Sequence, residues 1–249
     1  MRSWYVESFG REYLALYPHR DEAEARADVR AIIDLVTLAK DEPLLDLGCG
    51  SGRHLLALHE AGFSRLVGID LSQELLDVAA ERFAAIGAKG IELVRADMRE
   101  IPYVEHFATV LSLFTSFGYF EDEVEDRTVL AAVNRALRRG GTFLIDTLNR
   151  GSVVAHLVPK EERALSGRTL RIERRVSKDR RRVEKTTHVF EEGRERRAFH
   201  ESVRMYTRDE LDRMLRDAGF VNVRCYGSLV GEPLSPQSKR LVLVAEKGW

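Results

Sequence analysis

The sequence predicts an α/β fold: a doubly wound, mostly parallel sheet of seven strands with an antiparallel β subdomain inserted into it. Three observations carry that expectation. Short apolar runs alternate with amphipathic helices between residues 43 and 149, the pattern of a parallel sheet covered on both faces. A glycine turn, Gly48-Cys49-Gly50-Ser51-Gly52, joins the first run to the helix after it. At Asn149 the alternation stops, and residues 150–206 read as strands joined by charged turns.

Residues 1–40 read as a helical lid. Tyr5, Phe9, Tyr13, Leu14 and Tyr17 recur at roughly helical spacing until Pro18, and Ala25, Val29, Ile32, Ile33 and Val36 mark one face of a second helix. Leu44–Leu47 is the first strand, and the helix His54–Glu60 ends at Gly62. Leu66–Ile69 is the second strand, followed by a helix capped by Ser72 and ending near Ile86. Ile91–Val94 and Val110–Phe114 are the third and fourth strands. The helix Asp122–Leu137 stops at Gly140-Gly141, and Thr142–Ile145 is the fifth strand. Thr169–Val176, Val183–Phe190 and Arg197–Tyr206 make a three-stranded meander with no amphipathic helix beside it. Thr207 caps the last helix, and Val221–Tyr226 and Leu241–Ala245 close the sheet. Residues 1–149 and 207–249 thus form one domain, with 150–206 inserted as a lid or dimer surface.

A net charge of −1 leaves no global field to draw the molecule to a polyanion or a membrane. Cys49 and Cys225 offer neither disulfide nor zinc spacing, so a reducing cytoplasm is the simplest setting. Residues 1–5 open no apolar core of signal-peptide length, and no run reaches transmembrane length, so no membrane association is expected.

The chemistry gathers at the carboxyl ends of the strands, where such sheets bind ligands. Glycines at 48, 50 and 52 let the backbone approach a ligand closely, and the helix beyond them points unsatisfied N–H groups into the same space. Asp46 adds a negative charge beside the turn. Asp70 ends the second strand eighteen residues after Gly52, where a carboxylate can accept both ribose hydroxyls. A dinucleotide site needs G-x-G-x-x-G, but here the pattern is Gly48-x-Gly50-x-Gly52, and the sixth position is Arg53. Asp97 can accept from an adenine amino group, and Met98 offers a polarisable surface to the ring; Asp97 can equally cap the next turn. A nucleoside with an amino-acid tail and a sulfonium fits this set.

These motifs resemble those of the class I S-adenosylmethionine-dependent methyltransferases, which have a Rossmann-like fold. LLDLGCGSGRH resembles the family's first motif, VGIDLS its ribose-binding strand end, RADM its adenine loop, and VLSLFTSFGYF its fourth strand and following loop. The closest similarity is to a bacterial small-molecule-type subgroup with a β insertion after the fifth strand. Ala108 departs from the Asp common in the family, at a position that does not bind cofactor. The resemblance implies S-adenosyl-L-methionine as cofactor and S-adenosyl-L-homocysteine as product. It places Gly48, Gly50, Gly52 and Asp46 at the amino-acid part, Asp70 and Leu71 at ribose, Asp97 and Met98 at adenine, and Leu113 and Phe114 by the methyl group.

An activated methyl chiefly requires an aligned nucleophile, with a base for a hydroxyl or protonated amine. Tyr119 is the first candidate because its loop follows the strand nearest the methyl; Tyr17, His19, His54, His200 and Tyr206 are others, each with a structural reading of its own. Tyr17, Arg150, Arg204 and Tyr206 could contact the acceptor. Asp146 and Asn149 alone do not make a metal site, so a metal-independent transfer to O or N of a small molecule is expected. Residues 168–182 hold eight Arg or Lys against Glu173 and Asp179, which raises RNA or another nucleic acid as an alternative acceptor. The run lacks aromatics and is ringed by Glu161, Glu162, Glu184, Glu191 and Glu192, which favours a solvated sheet face. A non-catalytic cofactor-binding scaffold that dimerises through the insertion is the remaining alternative.

Overall fold

The computed structural model describes residues 3–17 and 22–249. Two short helices, α1 (Trp4–Ser8) and α2 (Arg11–Ala15), precede the longer α3 (Glu22–Leu35). There follow β1 (Leu44–Leu47), α4 (Arg53–Glu60), β2 (Leu66–Asp70), α5 (Gln73–Ala85), β3 (Ile91–Arg95), β4 (Phe107–Ser112), α6 (Glu123–Ala136) and β5 (Leu137–Leu148). The inserted segment forms α7 (Arg150–His156), β6 (Lys160–Leu165), β7 (Arg168–Val176), β8 (Arg182–Glu191) and β9 (Arg194–Arg204). The chain then runs through α8 (Arg208–Asp217), β10 (Phe220–Tyr226) and β11 (Arg240–Lys247).

The main sheet has seven strands in the order β10-β11-β5-β4-β1-β2-β3, and the inserted sheet has four in the order β6-β7-β8-β9. In the main sheet β1 pairs in parallel with β2 on one side and β4 on the other, and β11 runs antiparallel to both its neighbours. The strand order therefore reverses at β1, and the crevice beyond the ends of β1 and β4 is the expected ligand site. Apolar residues on both faces hold the sheet. Leu45, Val110 and Ile145 pack on one side and Leu44, Leu111 and Val244 on the other, all almost wholly buried. Local chemistry fixes the helix starts. Asp122 with Glu125 and Thr207 with Glu210 form capping boxes at α6 and α8, and Ser72 caps α5.

Four expectations are corrected. The first helical run breaks at Phe9-Gly10, where Gly10 is extended and the Ser72 hydroxyl donates to the Phe9 carbonyl at 2.9 Å. β4 ends at Ser112 instead of Phe114, because Phe114 and Thr115 turn out of the sheet with φ of 55° and 67°. Gly140-Gly141 do not stop α6, which ends at Ala136; they lie in β5, where its register against β4 is irregular. The insertion has a helix and a fourth strand that the sequence pattern misses. α7 is capped by Asn149 accepting from Gly151, and β6 is an edge strand whose charges hide its alternation.

Candidate active site

A cavity of about 890 Å³ opens at the switch point. The glycine turn, the start of the loop after β4, the N-terminal helices and the inserted sheet all line it. A Cβ at Gly52 would stand 2.5 Å from Phe83, and one at Gly48 2.8 Å from Ser116, so these two glycines let the turn pack tightly on its neighbours. Gly50 has φ +54° and nothing nearer than Leu75 at 3.9 Å, which leaves its side of the turn facing open space.

Two carboxylates flank the turn in different states. Asp70 accepts the N–H groups of Gly50 and Ser72, each at 2.8 Å, and burial still pushes its carboxyl up from the ordinary value. Asp46 is buried with no partner for Oδ2 among the described residues, and burial lifts it to about 6 against the pull of His54 and Arg53. Arg53 pairs through Nη1 with Glu24 at 2.7 Å, lies 4.6 Å over the Phe114 ring, and leaves Nη2 buried without a partner among the described residues. Sequence reasoning used Arg53 only to exclude a dinucleotide; its place directly after the third glycine was the available signal.

Leu71, Met98, Leu113 and Phe114 also line the cavity. Asp97 lines it while paired with Arg99 at 2.6 Å and accepting the Arg99 N–H at 2.9 Å, so it caps the turn as well. Burial raises the Asp97 carboxyl, but the Arg99 contacts outweigh it and hold the group below its ordinary range. Asp146, from β5, receives a bidentate pair from Arg240 at 2.6 Å and the Phe114 N–H at 3.1 Å. That arrangement holds the Phe114–Thr115 turn in its sparsely populated backbone conformation.

Of the acceptor-side candidates, Tyr17 and Tyr119 line the cavity. Tyr119 packs its ring on Trp4 and Phe9, while its carbonyl accepts from Trp4 Nε1 at 3.3 Å. Tyr17 donates to Glu201 Oε1 at 2.9 Å and receives a bond from Lys185. His54 is buried at the cavity with Nε2 3.1 Å from Asp28, and His200 lies exposed on the outer side beside Thr186. His19 lies outside the described residues. Arg150, Arg204 and Tyr206 do not reach the cavity. Arg150 pairs with Glu210 at 3.0 Å and Arg204 with Glu123 at 2.7 Å. Tyr206 is core, its hydroxyl donating to buried Asp126 at 2.6 Å. In their place the inserted sheet presents Arg174, Lys185 and Glu201 to the cavity.

Residues 44–141 match the family described as methyltransferase domain. The cypemycin N-terminal methyltransferase of a Streptomyces species is 26% identical over 215 residues, 82% of this chain and 82% of that protein. The dTDP-3-amino-3,4,6-trideoxy-alpha-D-glucopyranose N,N-dimethyltransferase of Streptomyces venezuelae is 29% identical over 148 residues, 56% of this chain and 60% of that protein. The crystal structure of a S-adenosylmethionine-dependent methyltransferase from Clostridium acetobutylicum has a TM-score of 0.80 at 19% identity, covering 96% of this chain and 98% of that one. The fold is the Rossmann-like class I fold expected from the sequence, and residues 44–141 match a methyltransferase domain.

Proposed function

We propose that this S-adenosylmethionine-dependent methyltransferase methylates an amino nitrogen of a small molecule enclosed between the glycine turn and the inserted sheet. The observation that carries the reading is the cavity itself. Ligand pockets run to roughly 300–1,000 Å³, so its volume of about 890 Å³ suits a nucleoside cofactor together with a compact acceptor. One relative named above is an N,N-dimethyltransferase and the other an N-terminal methyltransferase by their printed names, which supports nitrogen over oxygen.

The unpartnered atoms fit the cofactor. Asp46 Oδ2 suits an ammonium and Arg53 Nη2 a carboxylate, the two ends of an amino-acid tail laid along the backbone of Gly48, Gly50 and Gly52. Asp70 and Leu71 would hold ribose, Asp97 and Met98 adenine, and Leu113 and Phe114 would border the methyl group. Bound S-adenosyl-L-methionine supplies an activated methyl on a sulfonium. The chain's own task is to aim an uncharged amine lone pair and shed its proton, which falls to the cavity wall carrying Tyr119 and Tyr17. The N-terminal helices and the inserted sheet act as the lid. Tyr13, Leu16 and Tyr17 pack with Leu170, Val189 and Phe199 between the two.

The basic run of the insertion is laced with acids. Arg168 pairs with Glu191, Arg171 with Glu162, Arg174 with Glu161 and Arg175 with Glu184, which supports a solvated face over a nucleic-acid groove. Two free cysteines support a reducing, cytoplasmic setting, and among the described residues no helix is long and apolar enough to cross a membrane. Incubation with methyl-labelled cofactor and a metabolite extract, beside parallel RNA and DNA reactions, tests the reading. Label in a low-molecular-weight amine is expected; label in nucleic acid, or in no acceptor, overturns it.

A further inference from the structure

Side chains at alternate positions of the inserted sheet face the cavity side, and cross-strand register arranges them in rows. Ile172, Thr187 and Phe199 form one row, and Val176, Val183 and Val203 another. Between these rows lies a charged one: Arg174 opposite Lys185, and Lys185 opposite Glu201, all three lining the cavity. Lys185 and Glu201 form an opposite-charge pair across two strands, whereas Arg174 and Lys185, two cations directly opposite each other on neighbouring strands, repel. Their side chains are only 23% and 17% exposed, so water screens that repulsion poorly.

The hydrogen-bond inventory of the row is lopsided. Glu201 already accepts from Tyr13 at 3.2 Å, from Tyr17 at 2.9 Å and from Lys185 at 2.7 Å. Lys185 has three N–H groups and, among the described residues, places two, on Glu201 and Tyr17. Arg174 has five and, among the described residues, places two, on Glu161 at 2.7 Å and the Val158 carbonyl at 3.4 Å. The surplus is therefore in charged donors, while Glu201 already accepts three bonds. A group that accepts two charged hydrogen bonds and brings negative charge satisfies the donors and relieves the repulsion.

Resting on the amine-methylation reading above, we propose that Arg174 and Lys185 form a subsite for an oxyanion, a carboxylate or a phosphate, carried by the acceptor. The cavity then reads its acceptor at two points, with the nucleophile near the methyl donor and an anionic handle on the inserted sheet. The proposal assigns specificity to a segment that sits outside the matched methyltransferase domain, residues 44–141.

Calorimetry on protein saturated with S-adenosyl-L-homocysteine tests it, with inorganic phosphate in one arm and succinate in the other, at low ionic strength. At least one anion should bind below about 10 mM, and the arm that responds identifies the handle. Lys185→Met and Arg174→Met should each weaken that binding at least about fivefold, with the affinity for S-adenosyl-L-homocysteine unchanged as evidence of an intact fold. Arg174 is the second, independent probe because Glu201 and the tyrosines do not depend on it. Binding of neither anion, or binding that survives both substitutions, overturns the subsite. These outcomes do not depend on turnover, so a failed subsite leaves the amine reading standing. A failed amine reading shows instead in the labelled-methyl experiment.

Discussion

Asp46 and Arg53 bring opposite charges to one cavity wall without pairing with each other. Oδ2 of the one and Nη2 of the other are buried and lack hydrogen-bond partners among the described residues. Leaving a buried charged group unsatisfied costs at least about 1–3 kcal/mol, so two complementary unsatisfied atoms beside one turn support the proposal of a ligand with both charges. An amino-acid tail is such a ligand.

Arg53→Met is expected to weaken binding of S-adenosyl-L-homocysteine at least about tenfold, the worth of one charge-assisted hydrogen bond. Adenosine, which lacks the tail, should bind the variant as it binds the parent protein. Calorimetry with both ligands checks the pair. An equal loss for adenosine would mean that Arg53 acts by holding Phe114 in place, the ring it covers.

Asp46 gives binding a pH dependence with a definite sign. Burial lifts its carboxyl to about 6, and Asp70, Arg53 and His54 are the charged groups that act on it. An ammonium favours the deprotonated form, so affinity should rise with pH through about 6 and level off above it. Below that point it should fall by up to about tenfold per pH unit. Asp46→Asn should bind more weakly and with a flatter profile. A wild-type affinity that is constant from pH 5 to pH 8 would remove the ammonium from Asp46.

Asp70→Ala should weaken S-adenosyl-L-homocysteine by at least about tenfold and also lower the melting temperature. The second effect arises because Asp70 ties Gly50 and Ser72 to the end of β2. Asp70→Asn keeps one acceptor oxygen, so it should recover more of the stability than of the affinity. Unchanged affinity in Asp70→Ala would end the ribose assignment.

How far the sequence could be read depended on the range of the forces involved. The strands around Leu45 and Val110, the glycine turn and the caps at Ser72 and Thr207 are set by neighbours within a turn or a strand. They stand close to where the pattern put them. Phe114 does not, because its positive φ is imposed by Asp146 and Arg240, remote in the chain. The direction of side chains in the insertion was equally hidden. Arg204 and Tyr206 sit at its root as expected, but turn towards Glu123 and Asp126 of α6, away from the cavity. β6 escaped because Lys160 to Arg163 are charged on both faces, so no apolar period was there to count.

Arg240→Met removes the partner of Asp146, whose side chain is 5% exposed, and leaves a buried carboxylate uncompensated. Breaking such a pair costs about 3–5 kcal/mol, and chemical denaturation should show a loss of that order. The double variant Arg240→Met/Asp146→Asn removes the stranded charge and should recover part of it. The Phe114–Thr115 turn relaxes in both, so cofactor affinity should stay low in the double variant even where stability returns. Affinity that recovers in step with stability would separate that turn from the binding site.

Asp126 supplies the last test, on stability alone. It is wholly buried on α6 with Oδ2 bonded to Tyr206, and burial raises its carboxyl from 3.8 to about 6 against the opposing pull of Tyr206, Arg182 and Arg204. A carboxyl that holds its proton more tightly when folded favours the native state below the unfolded value. That contribution is full below about pH 4, is lost as the pH rises to about 6, and is absent above it. Asp126→Asn keeps an acceptor for the tyrosine hydroxyl and has no charge to desolvate. It should therefore be more stable than the parent protein by about 1–3 kcal/mol at pH 7.5, with the difference shrinking towards pH 4. Urea unfolding of both proteins across that range measures it. A variant no more stable at pH 7.5, or one whose advantage persists at pH 4, would mean that Arg182 and Arg204 compensate the Asp126 charge after all.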